Sequence, residues 1–121
     1  MGSLDMAQMV VQTGLTAHTL RYYEKEQLIQ EVPRDVGGRR RYGEAHLRVI
    51  RFVNALRATG MPIKEIKRYL ALYQEGDGTH DDRLALLENH REHVRQKLRQ
   101  IKHNLQVIDV KIASYGRPTK Q

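Results

Sequence analysis

The sequence contains no cysteine. That absence excludes disulfides, thiolate metal sites and cysteine nucleophiles together, and leaves the compartment to other arguments. No apolar run approaches the roughly 18 residues that a membrane-spanning helix needs, and the N-terminus lacks an apolar signal core. The reading is of a soluble, cytoplasmic protein with no membrane partner. Paired carboxylates, a nucleophile beside a base and a phosphate-cradling glycine loop are also missing, so neither an enzyme nor a cofactor is expected. Low-complexity segments and solenoid repeats are absent. Acidic residues are the scarcer charge, 14 against 21 Lys and Arg, a formal net charge of +7. This surplus favours a polyanionic partner without separating nucleic acid from membrane.

What is present is a chain of 121 residues, enough for one small domain and an extension and too short for two full domains. Apolar residues make up 40% and recur at regular spacing, which argues against disorder. Met1-Gly2-Ser3 reads as a cloning remnant and carries no structural weight here. From Asp5 to Thr13 a short helix is predicted, with Met6, Met9 and Val10 on one face, Asp5 as N-cap and Gly14 as stop. Leu15 fills the turn that follows. Thr16 then caps a second helix, Ala17 to about Glu26, which turns Leu20 and Tyr23 inward and His18, Arg21, Tyr22 and Lys25 outward. A short helix, a glycine-containing turn and a second helix bearing a basic, aromatic stripe are what a helix-turn-helix reader of the major groove requires.

Between Leu28 and Tyr42, Pro33, Gly37 and Gly38 break any helix, and Val32, Val36 and Tyr42 favour extended pieces. The segment reads as a small β-hairpin. Its outgoing arm carries Arg34 and its returning arm Arg39, Arg40, Arg41 and Tyr42, so it forms a basic wing whose guanidinium groups, with the tyrosine hydroxyl, suit phosphate anchoring. From Pro33 to Arg51 there are six arginines and two acids, the densest basic patch in the chain. Tyr23 shares the side of Leu20 and is read as packing, which leaves Tyr22 for phosphate or base.

Leu47, Ile50, Val53 and Leu56 predict a helix over Glu44 to Thr59, and Pro62 suits the first turn of another that carries Ile63, Ile66, Leu70 and Tyr73. Tyr69 and Tyr73 are expected to pack the junction with the last helix rather than line an effector pocket. After Gly76-Asp77-Gly78, Thr79-x-x-Asp82 resembles a capping box, and no glycine or proline follows until Gly116, so one helix of roughly 50 Å is predicted from about His80 to Tyr115. Its apolar residues, Leu84, Leu87, Val94, Leu98, Ile101, Leu105, Ile108, Ile112 and Tyr115, alternate by three and four, with Arg91 the only break. Such a seam cannot bury itself alone. A second copy of the same helix is the simplest partner, which predicts a homodimer. His80, His90, His93 and His103 do not form a convincing ligand set and are read as solvated, so no metal is expected. The predicted division is 4–75 for DNA binding, 79–115 for dimerisation and 116–121 as a tail.

At this point Thr19-Leu20-Arg21-Tyr22-Tyr23-Glu24, then Leu28-Ile29, Arg34, Gly38-x-Arg40-x-Tyr42 and Leu56-Arg57-x-x-Gly60-Met61-x-Ile63-x-Glu65-Ile66 resemble, in order and spacing, the MerR family of bacterial transcription regulators. The resemblance covers residues 4 to 75, and the terminal helix agrees with that family's antiparallel dimerisation coil. It implies a mainly α fold: a winged helix-turn-helix followed by a long dimerisation helix. It further implies a homodimer on a pseudo-palindromic operator in double-stranded DNA, between promoter elements set too far apart, whose spacer is bent and untwisted so that RNA polymerase engages both. Arg21, Tyr22, Arg40 and Tyr42 match the family's DNA-contacting positions; with Thr16, His18, Lys25, Arg34, Arg39 and Arg41 they make up the expected DNA-binding set. The chain departs from the family at Gln27, where glycine is frequent, and at Arg39, where an aromatic residue is usual. Lacking cysteine, it is not expected to sense soft metals or aldehydes through thiols, and no appended ligand domain is expected after Tyr115. The effector stays unknown. Two other readings remain, an effector-independent architectural DNA-binding protein and a helical protein-interaction module.

Overall fold

The computed structural model describes residues 2–116. Five helices follow one another: α1 (Met6–Thr13), α2 (Ala17–Lys25), α3 (Glu44–Ala58), α4 (Ile63–Glu75) and α5 (His80–Ser114), with a 3₁₀ turn over Asp77–Thr79 before the last. Two compact units divide after His80. The tail expected at 116–121 falls, from residue 117 on, outside the described residues.

The first unit packs α1 on α2, α1 on α3 and α3 on α4. Every segment contributes to one core: Met9, Leu20, Tyr23, Leu28, Val32, Tyr42, Ile50, Val53, Met61 and Ile66 are all nearly or completely buried. Each such side chain contributes about 1.5–3 kcal/mol by leaving water. Local chemistry sets the helix boundaries. Asp5 Oδ1 accepts from Gln8 N–H at 2.8 Å while Gln8 Oε1 accepts from Asp5 N–H at 2.8 Å, a reciprocal cap on α1. Thr16 Oγ1 accepts from Thr19 N–H at 3.1 Å and starts α2.

Two helices end in the same six-residue motif. After α3, Met61 N–H donates to Leu56 O at 2.9 Å and Gly60 N–H to Arg57 O at 3.0 Å, with Gly60 at φ +90°. After α2, Leu28 N–H donates to Tyr23 O at 2.9 Å and Gln27 N–H to Glu24 O at 3.1 Å. Here the left-handed position, φ +59°, is held by Gln27, not glycine. The departure at Gln27 therefore leaves the turn intact at the cost of backbone strain.

The expected hairpin is shorter than predicted. Among the described residues its arms meet at one isolated bridge, Arg34 with Arg40, and Tyr42 pairs with Leu4 instead of with the outgoing arm. Leu4 and Tyr42 exchange backbone hydrogen bonds of 2.8 and 2.7 Å, so the N-terminal residues hold the base of the wing. Ser3 takes part too: its Oγ accepts from Arg41 Nε at 2.9 Å and its carbonyl from Arg41 Nη2 at 3.0 Å. The reading that gave residues 1–3 no structural weight is corrected for Ser3.

Thr79 gains a further role, and one smaller expectation, for His90, changes. The Thr79 hydroxyl is buried, 2.6 Å from Leu72 O and 2.8 Å from Gly76 O, and so ties the 3₁₀ turn back onto α4. His90, expected to be solvated, is buried.

Helix α5 runs 35 residues without interruption, all but His80 of them in the second unit. Leu84, Leu98, Ile101, Leu105, Ile108 and Ile112 are exposed along it, and Leu87 and Val94 are half-buried. Arg91 sits in this seam with its guanidinium 3.9 Å from Glu88. Among the described residues no helix is long and apolar enough to cross a membrane, and no group of three potential metal ligands occurs.

Candidate nucleic-acid interface

The candidate interface is built from α2 and the ribbon that follows it. With Leu20 and Tyr23 locked into the core, the 3.6-residue period presents His18, Arg21 and Lys25 to solvent. Tyr22 lies half-buried beside them, and the Arg57 guanidinium from α3 sits 5.6 Å from its ring centroid and 5.4 Å from that of Tyr23. This cation covers both rings from a distance in sequence that no local pattern announces. Thr16 is occupied as the N-cap of α2.

The wing tip is a rigid four-residue turn. Gly38 N–H donates to Asp35 O at 3.0 Å, and Asp35 Oδ1 accepts from Gly37 N–H at 2.9 Å and Arg39 N–H at 3.0 Å. The Arg39 N–H bond holds the Asp35 carboxyl below its ordinary range; partial desolvation opposes this, and the Gly37 N–H adds to it. Gly38, at φ +79°, closes the turn. Arg34 and Arg39 flank the tip and are exposed; Arg34 Nη1 donates to Gly38 O at 2.9 Å, which aligns its side chain along the ribbon.

The four sequence-predicted wing arginines do not form one equivalent set. Arg40 Nε donates to Glu24 Oε1 at 2.8 Å, and the two side chains are only 21% and 18% exposed. The other Glu24 oxygen, Oε2, accepts from Val32 N–H at 3.1 Å. Burial works to raise the Glu24 pKa, but the Arg40 hydrogen bond, the Val32 N–H and the charges of Arg40 and Arg34 outweigh it and leave the carboxyl below its ordinary value. Glu24 thus clamps the wing to the recognition helix. Arg41 is likewise committed, to Ser3.

Tyr42 is a correction. Read from the sequence as a wing contact, it is 0% exposed, its hydroxyl 3.9 Å from Met6 Sδ and its ring edge-on to His46. Burial pushes its phenol pKa up. It anchors the base of the wing in the core and leaves the set of candidate DNA contacts. The residues that sequence reasoning missed are those that position others: Glu24, Asp35 and Arg57. Only Asp35 had a local signal, an Asp two residues before Gly-Gly in a turn.

Comparison with known proteins gives this geometry a context. The model of MerR HTH family regulatory proteins matches residues 4–72, and that of the MerR DNA-binding region matches residues 47–110. An HTH-type transcriptional regulator of Haemophilus influenzae is 36% identical over 111 residues, 92% of this chain and 82% of that one. The transcriptional regulator AdhR of Bacillus subtilis is 39% identical over 89 residues, 74% of this chain; the match spans 64% of AdhR, just under two thirds. Among solved structures, HiNmlR, a MerR family regulator lacking the sensor domain and bound to promoter DNA, superposes with a TM-score of 0.89 at 34% identity, covering 94% of this chain and 86% of that one. A MerR family regulator from Bacillus thuringiensis superposes at 0.83 with 33% identity, covering 93% and 99%. With a helix-turn-helix, a short basic wing and a long terminal helix in the same order, the chain belongs to the MerR family of DNA-binding transcription regulators.

Proposed function

We propose that this regulator acts in the cytoplasm as a homodimer on a pseudo-palindromic operator, and that it bends and untwists the promoter spacer so that RNA polymerase reaches both flanking elements. In this reading residues 4–75 bind DNA and 79–115 dimerise. His18, Arg21 and Lys25 enter the major groove, with Arg21 the base-reading residue. Tyr22, Arg34 and Arg39 approach phosphates. Arg40 and Arg41 shape the wing, and Thr16 caps the reading helix.

The observation that carries this reading is the exposed seam on α5. Six large aliphatic side chains at three-and-four spacing stand in solvent, and a hydrophobic stripe of that length is stable only when another surface covers it. An antiparallel second copy covers it residue for residue and supplies a second reading helix, which a two-fold operator requires. That the structure of HiNmlR was obtained on promoter DNA supports the same target for this chain.

Two measurements test it together. Sedimentation of the full chain should give a dimer at micromolar concentration, and Leu105→Asp should shift it towards monomer and weaken operator binding by at least ten-fold, because each seam position is used twice in a two-fold coil. Selection from random duplexes should return a palindrome. A monomeric wild-type chain that binds a symmetric site at full strength would overturn the dimer, and selection without any enriched sequence would point to an architectural role.

A further inference from the structure

A cavity of about 260 Å³ opens in the first unit between α3, α4 and the loop that follows α2. Its walls are mostly apolar and aromatic: Leu28, Phe52, Tyr69 and Tyr73 line it, with the Phe52 and Tyr69 rings 5.5 Å apart, and His46 and three glutamines add polar edges. Tyr69 and Tyr73, expected to pack the junction with the last helix, both line this cavity. Phe52 and Tyr73 are exposed despite their size. Among the lining residues there is no carboxylate, and the only fixed charge is Arg48 on α3, which is exposed and forms no ion pair with another described residue.

The geometry points to a binding site for a small aromatic carboxylate. The aromatic walls take a flat ring, and Arg48 at the wall supplies two parallel donors for a carboxylate. The volume lies just below the roughly 300–1,000 Å³ of ordinary ligand clefts, which limits the occupant to about one or two rings. A cation as ligand is disfavoured by Arg48, and a neutral ring would leave the guanidinium without an anionic partner. The cavity is also well placed to matter. Its wall includes Gln27 at φ +59°, the strained residue two positions past the end of α2, so an occupant touches the segment that joins α2 to the wing. The binding claim stands on the cavity alone; a regulatory consequence rests on the DNA-binding reading above.

The test uses the full chain and two probes, benzoate and its neutral counterpart benzamide, followed by heteronuclear NMR. Benzoate should shift the amides of residues 27–30 and 69–74 saturably in the millimolar range or below, and benzamide should bind at least several-fold more weakly. Arg48→Gln, at an exposed position that does not threaten folding, should weaken benzoate about ten-fold or more and leave benzamide unchanged, because it removes a charge-assisted pair. Equal binding of the two probes, or benzoate affinity indifferent to Arg48→Gln, would overturn the carboxylate assignment. No saturable shift, or an apparent affinity that falls as protein concentration rises, would mean that the cavity is closed or filled by a second copy, and would overturn the site. Operator binding measured on the same samples keeps these failures separate from failure of the DNA-binding reading.

Discussion

Removing the charge of Glu24 should loosen the wing from the recognition helix without touching any residue expected to meet DNA. In Glu24→Gln the side chain keeps its shape, but its single amide oxygen can accept from only one of the two donors; if it keeps Val32 N–H, the amide NH2 faces Arg40 Nε and the 2.8 Å ionic bond is lost. Hydrogen bonds to a charged group contribute about 1.5–3 kcal/mol. The pair is about one-fifth exposed, which screens part of that, so a loss of about 2 kcal/mol is expected. Denaturant unfolding at one fixed protein concentration measures it, since dimerisation adds a mass-action contribution. Arg40→Gln should cost a similar amount, and the double variant scarcely more than either, which gives a coupling of about 2 kcal/mol. Additive single effects, to within about 0.3 kcal/mol, would refute the clamp. So would an Arg40→Gln variant of undiminished stability whose salt slope for DNA binding falls by about 0.9, the signature of one lost phosphate contact.

The same clamp has a pH signature. Because the folded carboxyl of Glu24 titrates below its ordinary value, its stabilisation is fully present above the unfolded pKa and is lost as pH falls through the folded one; Glu24→Gln should flatten this acid limb and leave neutral pH the region of greatest deficit. Gln27→Gly should stabilise the chain by about 0.5–1 kcal/mol, the left-handed strain relieved less the extra freedom of glycine when unfolded, and a raised denaturant midpoint checks it. A destabilised Gln27→Gly chain would mean that the side chain does more than tolerate its φ. Arg39→Ala, at the exposed tip of the wing, should lower the salt slope by about 0.9 and weaken all duplex sequences alike. Tyr42→Phe should leave that slope unchanged, since among the described residues the hydroxyl meets a sulfur inside the core.

Periodicity and capping chemistry are local, and for that reason all five helices, the Asp5 and Thr16 caps, the inward Leu20 and Tyr23 and the α5 seam were legible from sequence alone. The same holds for the outward cations of α2: once two neighbours must face the core, the helical period leaves His18, Arg21 and Lys25 nowhere else to point. Tertiary structure alone decided the fate of the wing. Arg39, Arg40 and Arg41 are chemically identical and adjacent, yet one is exposed, one is clamped by Glu24 sixteen residues earlier, and one is held by Ser3 across 38 residues. Tyr42 entered the core for the same reason, because its backbone pairs with Leu4 and not with the arm beside it. Which of several equal donors finds a partner depends on where distant segments come to rest, and no period in the chain encodes that.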